Sequence, residues 1–392
     1  MAGLSARTNL LRVRDGHDHA RVTYVELFFD LVFVFAVTQL SHGLLAHLTP
    51  LGALQTGLLM MAVWWVWIYT SWITNWLDPE KPAVRLMLFA LMLAGLVLSS
   101  SIPHAFAERG LSFALAYVFM QVGRSLFMVW ALKRHDAGNY RNFLRITAWL
   151  VLSALFWIGG ACVEDTTRLA LWVAAVAIEY LMPAAGMWVP GLGRSTTADW
   201  TIDGGHLAER CALFIIIALG ESILITGATF AEQAWNTTSI AAFVVTFLGS
   251  VAMWVIYFNI GAERASRLIA TSDDPGRLAR SGYTYIHLLL VAGVVVAAVA
   301  DELVLAHPGG HVEASSAAVI AGGPALYLIG NAIFKRLSAP HVPLSHLVGL
   351  GLLILLIPAA AVATPLSLSA GSTAILILVA VWEGLSLRRR AD

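Results

Sequence analysis

The sequence predicts an all-α polytopic membrane protein with about twelve transmembrane helices, arranged as two parallel six-helix repeats with both termini in the cytoplasm. Composition points to a membrane, because 59% of the 392 residues are hydrophobic and 12% are charged, whereas about 25% of residues are charged in soluble domains. Apolar runs of membrane-spanning length follow one another along the chain, and the two halves of the chain match in order.

Each predicted span is an apolar run of about 20 residues, the length of helix that crosses a bilayer core about 30 Å thick. Helices are expected because every backbone group inside the core must be paired within the protein. The predicted spans are 22–48, 52–73, 85–107, 111–132, 146–163, 169–189, 206–230, 238–260, 283–305, 317–336, 343–363 and 370–387.

The positive charges set the predicted orientation. With the amino terminus inside, nearly all of the 24 lysines and arginines fall in cytoplasmic connections, as the positive-inside rule requires. Arg109 and Arg168 fall outside, and Arg124 falls within the fourth span. The first residues of the chain carry several charges and no apolar stretch, so they are predicted to form a cytoplasmic tail and not a cleavable signal peptide.

An internal duplication is predicted from segments that match in the same order in both halves. The run MLAGLVLSS (92–100) matches LVAGVVVAA (290–298), and Tyr69 in the second span matches Tyr257 in the eighth. Because each copy has six spans, both copies share one orientation and are related by a pseudo-twofold axis along the membrane normal, as in parallel-repeat transporters. The predicted divisions are a cytoplasmic N-terminal tail (1–21), a first six-helix repeat (22–189), a cytoplasmic linker (190–205) and a second six-helix repeat (206–392).

Four ionisable residues are predicted deep in the bilayer as substrate-binding or ion-binding residues: Asp30, Arg124, Glu179 and Glu221. A charge at mid-membrane costs about 2.5–3.5 kcal/mol on insertion scales, so such residues are functional candidates by default. Asp30 and Arg124 lie at similar depths in the first and fourth spans, which allows a buried ion pair. That pair either locks two helices together or exchanges partners during transport.

Glu179 and Glu221 have neighbours that suit an intramembrane site. Pro183 lacks the amide that would bond the carbonyl of Glu179, so this position offers both a carboxylate and a free carbonyl. That combination suits a cation or proton relay, and a simple kink beside a protonated glutamate is the alternative. Glu221 lies between Gly220 and Ser222, and small residues allow helices to approach closely.

Further polar residues are predicted to support these sites or to have local structural roles. Thr23 and Glu26 have the spacing of a capping box at the start of the first span, and Asp203 is placed to cap the seventh. His206 and Glu209 have a spacing that could hold a metal, but the spacing fixes no third ligand, so neither a metal nor a cofactor is predicted. The supporting residues are Glu26, Thr38, His206, Glu209, Arg210, Ser222 and Asn331.

Charged and aromatic residues near the ends of spans have simpler explanations. Asp301, at the outer end of the ninth span, is expected to be solvated. Glu383 is expected to reach the cytoplasmic interface beside Arg388. Trp72 and Trp76 are expected to anchor the second span at the interface, while the other tryptophans of that span are expected to pack between helices.

Two long segments carry a resemblance to a known family. ELFFDLVFVFAVTQLSH (26–42) and HLAERCALFIIIALGESIL (206–224), together with WIYTSWITNWLDP (67–79) and GPALYLIGNAIFKR (323–336), resemble the bacterial low temperature requirement A (LtrA) family. The resemblance implies a polytopic protein of the cytoplasmic (inner) membrane of a bacterium, associated with growth in the cold, and it implies no particular substrate or reaction.

A shorter resemblance concerns the first span alone. Asp30 and Phe33 stand at the offsets of the F-S-D-x-x-F first helix of a six-span potassium-channel family that also occurs as a tandem duplicate. Phe29 replaces the serine of that motif, and Leu213 aligns with the aspartate in the second half of the chain.

These observations favour a secondary transporter, coupled to a cation or to protons, that moves an unknown small solute through a midplane charged site. One alternative is a cation channel with a pore lined by the first and seventh spans, and another is an intramembrane enzyme that acts on lipid. An enzyme is the less favoured reading because motifs of soluble enzymes are missing from the sequence. The expected partners are the lipid bilayer and a small solute or cation. Nucleic acid is excluded because the formal net charge is zero, and the oligomeric state is left open.

Overall fold

The computed structural model describes residues 9–12, 21–259, 266, 268, 269, 271–338 and 341–391. Most of the predicted tail, 1–21, and the side chain of Arg388 lie outside this description. Within it the chain is helical, and the only extended pairings are two isolated bridges, Leu11 with Leu77 and Val189 with Gly193. The prediction of an all-α polytopic membrane protein is therefore confirmed.

Twelve long helices, α1–α12, occur in the described residues in the order of the predicted spans. They are α1 Tyr24–Ala46, α2 Pro50–Trp76, α3 Pro82–His104, α4 Gly110–Leu132, α5 Ala137–Ala161, α6 Asp165–Leu181, α7 Gly204–Ala231, α8 Thr237–Phe258, α9 Pro275–Ala306, α10 Ala314–Ser338, α11 Leu344–Ala361 and α12 Pro365–Ala391. All of them except α6 are long and apolar enough to cross a membrane.

Helix α6 is shorter than the sequence predicts. It has 17 residues, about 25 Å at 1.5 Å per residue, and it ends at Leu181 instead of continuing to residue 189. Pro183 follows two residues later, and a proline there cannot extend the helical hydrogen bonding. The helix thus ends at the place where a kink was the alternative to a relay.

Two helices contain π-helical turns. Phe119–Gly123 forms one within α4, and Ala279–Ile286 forms a longer one near the start of α9. A π turn inserts an extra residue into the helical repeat and is frequent at functional sites. In α4 it lies immediately before Arg124, so it sets the direction in which that side chain leaves the helix.

The chain forms two compact units. The first comprises the described residues of Met1–Gly43, Pro50–Arg210 and Ser272–Arg277, and the second those of Leu44–Thr49, Cys211–Thr271 and Leu278–Asp392. The predicted duplication, its pseudo-twofold axis and the cytoplasmic position of both termini stay predictions.

Aromatic side chains fill the interior of the first unit. Trp64, Trp65 and Trp67 of α2 are buried, as expected for tryptophans that pack between helices. Trp76 was expected at the interface, yet it is also buried and donates from Nε1 to the carbonyl of Thr201 at 2.5 Å. The backbone carbonyl of Thr201 therefore satisfies the indole N–H that an interfacial position would have given to water.

Glycines bring α9 and α10 of the second unit into close contact. A Cβ on Gly293 would lie 2.6 Å from the backbone nitrogen of Tyr327, and one on Gly323 would lie 2.6 Å from that of Ala297. Both distances are too short for any side chain. The two backbones can approach this closely because a glycine of each helix faces the backbone of the other helix. Such small residues are common where membrane helices pack together.

Candidate functional site

Glu26 stands at the start of α1, where its carboxylate caps the helix. Its Oε2 accepts from the backbone N–H of Thr23 at 2.9 Å and from the Thr23 hydroxyl at 2.8 Å. A glutamate three residues after the cap supplies a partner for an otherwise unpaired amide of the first turn. Of the predicted capping box, the bond from the Thr23 N–H to the Glu26 carboxylate is formed.

The same carboxylate is also held by three basic side chains. Arg12 Nη2 lies 3.1 Å from Glu26 Oε2, His206 Nε2 lies 3.0 Å from Oε1, and Arg210 Nη1 lies 3.2 Å from Oε1. The side chains of Glu26, His206 and Arg210 are wholly buried, and that of Arg12 is 11% exposed. Capping is therefore only one of the interactions of Glu26.

Asp30, two helical turns into α1, shares Arg210 with Glu26. Its Oδ1 accepts from Arg210 Nη2 at 2.6 Å and from Trp67 Nε1 at 2.8 Å. Its Oδ2 is buried and accepts no hydrogen bond from the described part of the chain. The guanidinium of Arg210 also lies 5.7 Å from the centre of the Trp67 ring, within the range of a cation–π contact.

His206 is oriented by the end of α2. Its Nδ1 lies 3.3 Å from Nδ2 of Asn75, which also donates to the carbonyl of Asp203 at 2.7 Å. Asp203 in turn accepts the backbone N–H of His206 at its Oδ1, 3.1 Å away, which confirms the predicted cap of α7. Both ring nitrogens of His206 thus contact side chains, and Glu209 is exposed, so this pair does not come together as metal ligands.

We refer to Arg12, Glu26, Asp30, His206 and Arg210 as the ionic cluster. It holds two carboxylates, two guanidinium groups and one imidazole, so its net charge is zero when His206 is neutral and positive when His206 is protonated. Taking such groups out of water is costly unless their geometry is well matched. Sequence reasoning placed Glu26, His206 and Arg210 among supporting residues and did not identify Arg12, which lies in the tail.

The ion pair between Asp30 and Arg124 that the sequence allowed is not formed. Arg124 donates from Nη1 to the carbonyl of Val66 at 2.8 Å and to the Thr70 hydroxyl at 2.7 Å, and from Nη2 to Gln121 Oε1. Its charge is therefore held by neutral oxygens of α2 and α4. The pairing with Asp30 was wrong because similar depth in two spans does not make the two side chains neighbours.

Glu179 of α6 lies in a pocket of neutral hydrogen-bond donors. Its Oε2 accepts from the Tyr117 hydroxyl at 2.5 Å and from Gln121 Nε2 at 3.1 Å, and its Oε1 accepts from the Ser153 hydroxyl at 2.5 Å and from Trp157 Nε1 at 3.0 Å. These four partners were not identified from the sequence. They occur as two pairs with a spacing of four residues, Tyr117 with Gln121 in α4 and Ser153 with Trp157 in α5, and this shared helix face was the signal available.

Two groups of buried polar contacts lie in the first unit, and both include residues of helix α2. Trp67 contacts Asp30 in one group, while Val66 and Thr70 hold Arg124 in the other. Gln121 then joins Arg124 to Glu179. We call the two groups together, from Arg12 through the ionic cluster to Glu179, the polar chain. It brings together three of the four predicted site residues: Asp30, Arg124 and Glu179.

The fourth, Glu221, belongs to the second unit and is buried at 5% exposure. The neighbouring Ser222 lies 3.1 Å from Asp301 Oδ2 and 3.2 Å from the Ser250 hydroxyl. Asp301 was expected to be solvated, but it is buried. The expectation was wrong because position along a helix gives the depth of a residue and not the face on which it packs.

Three other polar residues lie outside the polar chain. The hydroxyl of Thr38 donates to the carbonyl of Val34 in its own helix at 3.0 Å. Asn331 of α10 is fully buried, and neither of its amide atoms has a hydrogen-bond partner among the described residues. Glu383 pairs with Lys335, whose Nζ lies 2.6 Å from its Oε2. The expected pairing of Glu383 with Arg388 stays a prediction, because the side chain of Arg388 lies outside the described residues.

Long apolar helices around a core of buried ionisable groups define a polytopic integral membrane protein. A family profile described as bacterial low temperature requirement A protein (LtrA) matches residues 21–381. A protein of Rhizobium meliloti (strain 1021), described as uncharacterized, is 42% identical over 383 residues, which cover 97% of this chain and 93% of the relative. The chain belongs to the LtrA family. No solved structure matches it.

Proposed function

We propose that this LtrA-family protein is a secondary transporter of the bacterial inner membrane that couples the movement of a small solute to protons. The observation that carries the proposal is the sharing of Arg210 between Glu26 and Asp30 in the ionic cluster. Different nitrogens of this buried guanidinium face the two carboxylates at the same time, so protonation of one carboxylate would leave the other as the main counter-charge and give the cluster a second arrangement. A transporter requires such an alternative, because it must change state when it binds and releases its cargo.

Asp30 is the proposed proton-binding group. Its Oδ2 accepts no hydrogen bond within the described residues, so a proton bound there displaces no existing contact. Protonation removes the charge that holds Arg210 at 2.6 Å from Oδ1, and the guanidinium is then held by Glu26 alone. Neutralising one carboxylate thus weakens the attachment of α1 to α7 at Asp30.

Burial favours a carrier over an open pore. The side chains of Glu26, Asp30, His206 and Arg210 have no exposed surface, so solvent reaches them only after helices move. Alternating exposure of a buried site is the property that defines carriers. The polar chain from the cluster to Glu179 supplies further buried groups for proton movement, as expected of carboxylates and histidines inside membranes.

Proton flux into proteoliposomes tests the proposal. Purified protein is reconstituted with a pH-sensitive dye inside the vesicles, and a panel of small solutes is added under an imposed pH gradient. We expect proton entry to begin when at least one of the solutes is added, only in vesicles that contain the protein. Asp30→Asn should abolish this proton entry. The matched control is Glu108→Gln, a change at a carboxylate that is 67% exposed and lies outside the polar chain. Solute-coupled proton flux that is unchanged in Asp30→Asn would contradict the proposal.

The second candidate function is a cation channel lined by α1 and α7, and both of these helices supply the ionic cluster. Recordings in planar bilayers separate it from a carrier. Steady unitary currents, which correspond to rates far above the roughly 10³ per second of typical stepwise turnover, would favour the channel. Coupled flux without unitary currents would favour the carrier.

A further inference from the structure

A small polar cavity lies inside the second unit, separate from the polar chain. Its volume is about 20 Å³, and α8, α9, α10 and α12 contribute to its wall. The polar residues that line it are Asp301, Ser369, Ser372 and Thr373. Room for one water molecule needs about 10–15 Å³, so the cavity accommodates a single particle of that size.

Asp301 brings a carboxyl group to this cavity without a basic partner in the described residues. Its Oδ2 accepts from the Ser222 hydroxyl, which contacts Ser250, and no lysine, arginine or histidine in the described residues forms an ion pair with it. A buried carboxylate that lacks a counter-charge is costly in a membrane. A cation in the cavity would supply the missing charge.

Pro324 adds a backbone oxygen to the same wall. This proline lies inside α10, and because it has no N–H, the carbonyl of Ile320 one turn earlier loses its helical partner. The Ser372 hydroxyl donates to that carbonyl at 3.1 Å. A carbonyl oxygen has two lone pairs, so Ile320 can still bind a cation while it accepts this bond. Both Ile320 and Pro324 line the cavity.

We propose that this cavity binds one Na⁺ ion. Every polar group named here is an oxygen ligand, the type that hard cations prefer, and carbonyls freed at helix breaks coordinate Na⁺ in known transporters. One monovalent charge neutralises Asp301, whereas a divalent ion would leave a net positive charge in the bilayer. The volume limits the ion to a small one stripped of its water. The proposal is independent of the transport activity proposed above.

Binding to the purified full-length protein tests the site without any transport assay. Equilibrium dialysis with ²²Na⁺ measures stoichiometry and affinity, and thermal unfolding in NaCl against equimolar choline chloride measures stabilisation, because a ligand that binds only the native state raises the unfolding midpoint. We expect one saturable Na⁺ per chain and a rise of the midpoint that saturates with concentration. Asp301→Asn should lower the affinity at least tenfold.

The control is Glu302→Gln, a neighbouring carboxylate of α9 that does not line the cavity, and it should bind as the unchanged protein does. Should Asp301→Asn fail to fold, Ser372→Ala, which keeps the charge, should weaken binding severalfold in the same two assays. Equal midpoints in sodium and choline would overturn the proposal. So would equal affinity in Asp301→Asn, or saturable binding of Ca²⁺ in place of Na⁺.

Discussion

At the scale of residues, Arg210 pairs with two buried carboxylates of the first unit. One guanidinium lies within 3.2 Å of Glu26 and 2.6 Å of Asp30, and all three side chains are buried. Removing one partner of a buried pair costs more than the pair contributes, because it leaves a charge without compensation. Substitution of Arg210 is therefore expected to lower the stability of the folded protein.

Arg210→Gln should lower the free energy of unfolding by about 3–5 kcal/mol, because it leaves two buried carboxylates with less compensation. Thermal unfolding of the detergent-solubilised protein, followed by tryptophan fluorescence, measures the change. Arg85→Gln is the control, since that side chain is 42% exposed and pairs with an exposed glutamate; it should shift stability by less than about 1 kcal/mol. Equal shifts in the two variants would show that Arg210 does not hold the cluster.

Ser153→Ala should lower the free energy of unfolding by about 1–3 kcal/mol, the cost of leaving a buried acceptor without one of its donors. The serine hydroxyl lies 2.5 Å from Glu179 Oε1. Ser100→Ala, the same substitution at an exposed position of α3, is the control. Thermal unfolding followed by tryptophan fluorescence compares the two variants. A loss confined to Ser153→Ala supports the described pocket, whereas no difference would argue against it.

Local spacing in the sequence predicted some of these residues, but the pairing between helices could not be predicted. The Thr23 and Glu26 cap and the Asp203 cap involve residues three apart, so the pattern contains all that is needed. The bond of Asp30 to Arg210 joins residues 180 positions apart. The sequence of neither span indicates which other helix it packs against. Asp301 was misplaced for the same reason.

At the scale of elements, the packing of α9 against α10 depends on glycines at the contact. The length and apolar character of both helices were predictable because the bilayer requires them. The contact between the two helices could not be predicted, because the sequence does not distinguish a glycine on the lipid face from one at a helix interface. Gly322 and Gly323 are adjacent, yet an added Cβ at Gly322 meets nothing within 4 Å, while one at Gly323 lies 2.6 Å from Ala297.

These two neighbours form a matched pair for mutation. Gly323→Ala should lower the free energy of unfolding by about 1–3 kcal/mol, because the new methyl group forces the backbones apart. Gly322→Ala should leave stability unchanged or raise it slightly, since alanine favours a helix over glycine. Thermal unfolding of both variants gives the comparison, and a larger loss in Gly322→Ala would contradict the described packing.

At the scale of the whole molecule, the short helix α6 decides the topology. If all twelve helices cross the membrane, both termini lie on one side, as the distribution of arginines and lysines predicts. With 17 residues, α6 is below the usual length, although spans of about 17 residues occur. The connection between α5 and α6 lies opposite the amino terminus whether or not α6 crosses, so its side tests the predicted orientation.

The two cysteines allow that test without engineering. Cys162 is exposed at the end of α5, and Cys211 is buried in α7. We expect a membrane-impermeant maleimide to label Cys162 from the outside of intact cells and to leave Cys211 unlabelled. A Cys162→Ser variant should lose the label. Labelling of Cys162 only after the cells are opened would place this connection in the cytoplasm and overturn the predicted orientation.

Helix α2 contacts both halves of the polar chain within little more than one turn, through Trp67 on one side and Val66 and Thr70 on the other. A tilt or rotation of this helix cannot disturb Asp30 without also disturbing Arg124. The two groups are therefore mechanically linked, so the proton that we propose for Asp30 would affect Gln121 and Glu179 without any ion having to travel between them.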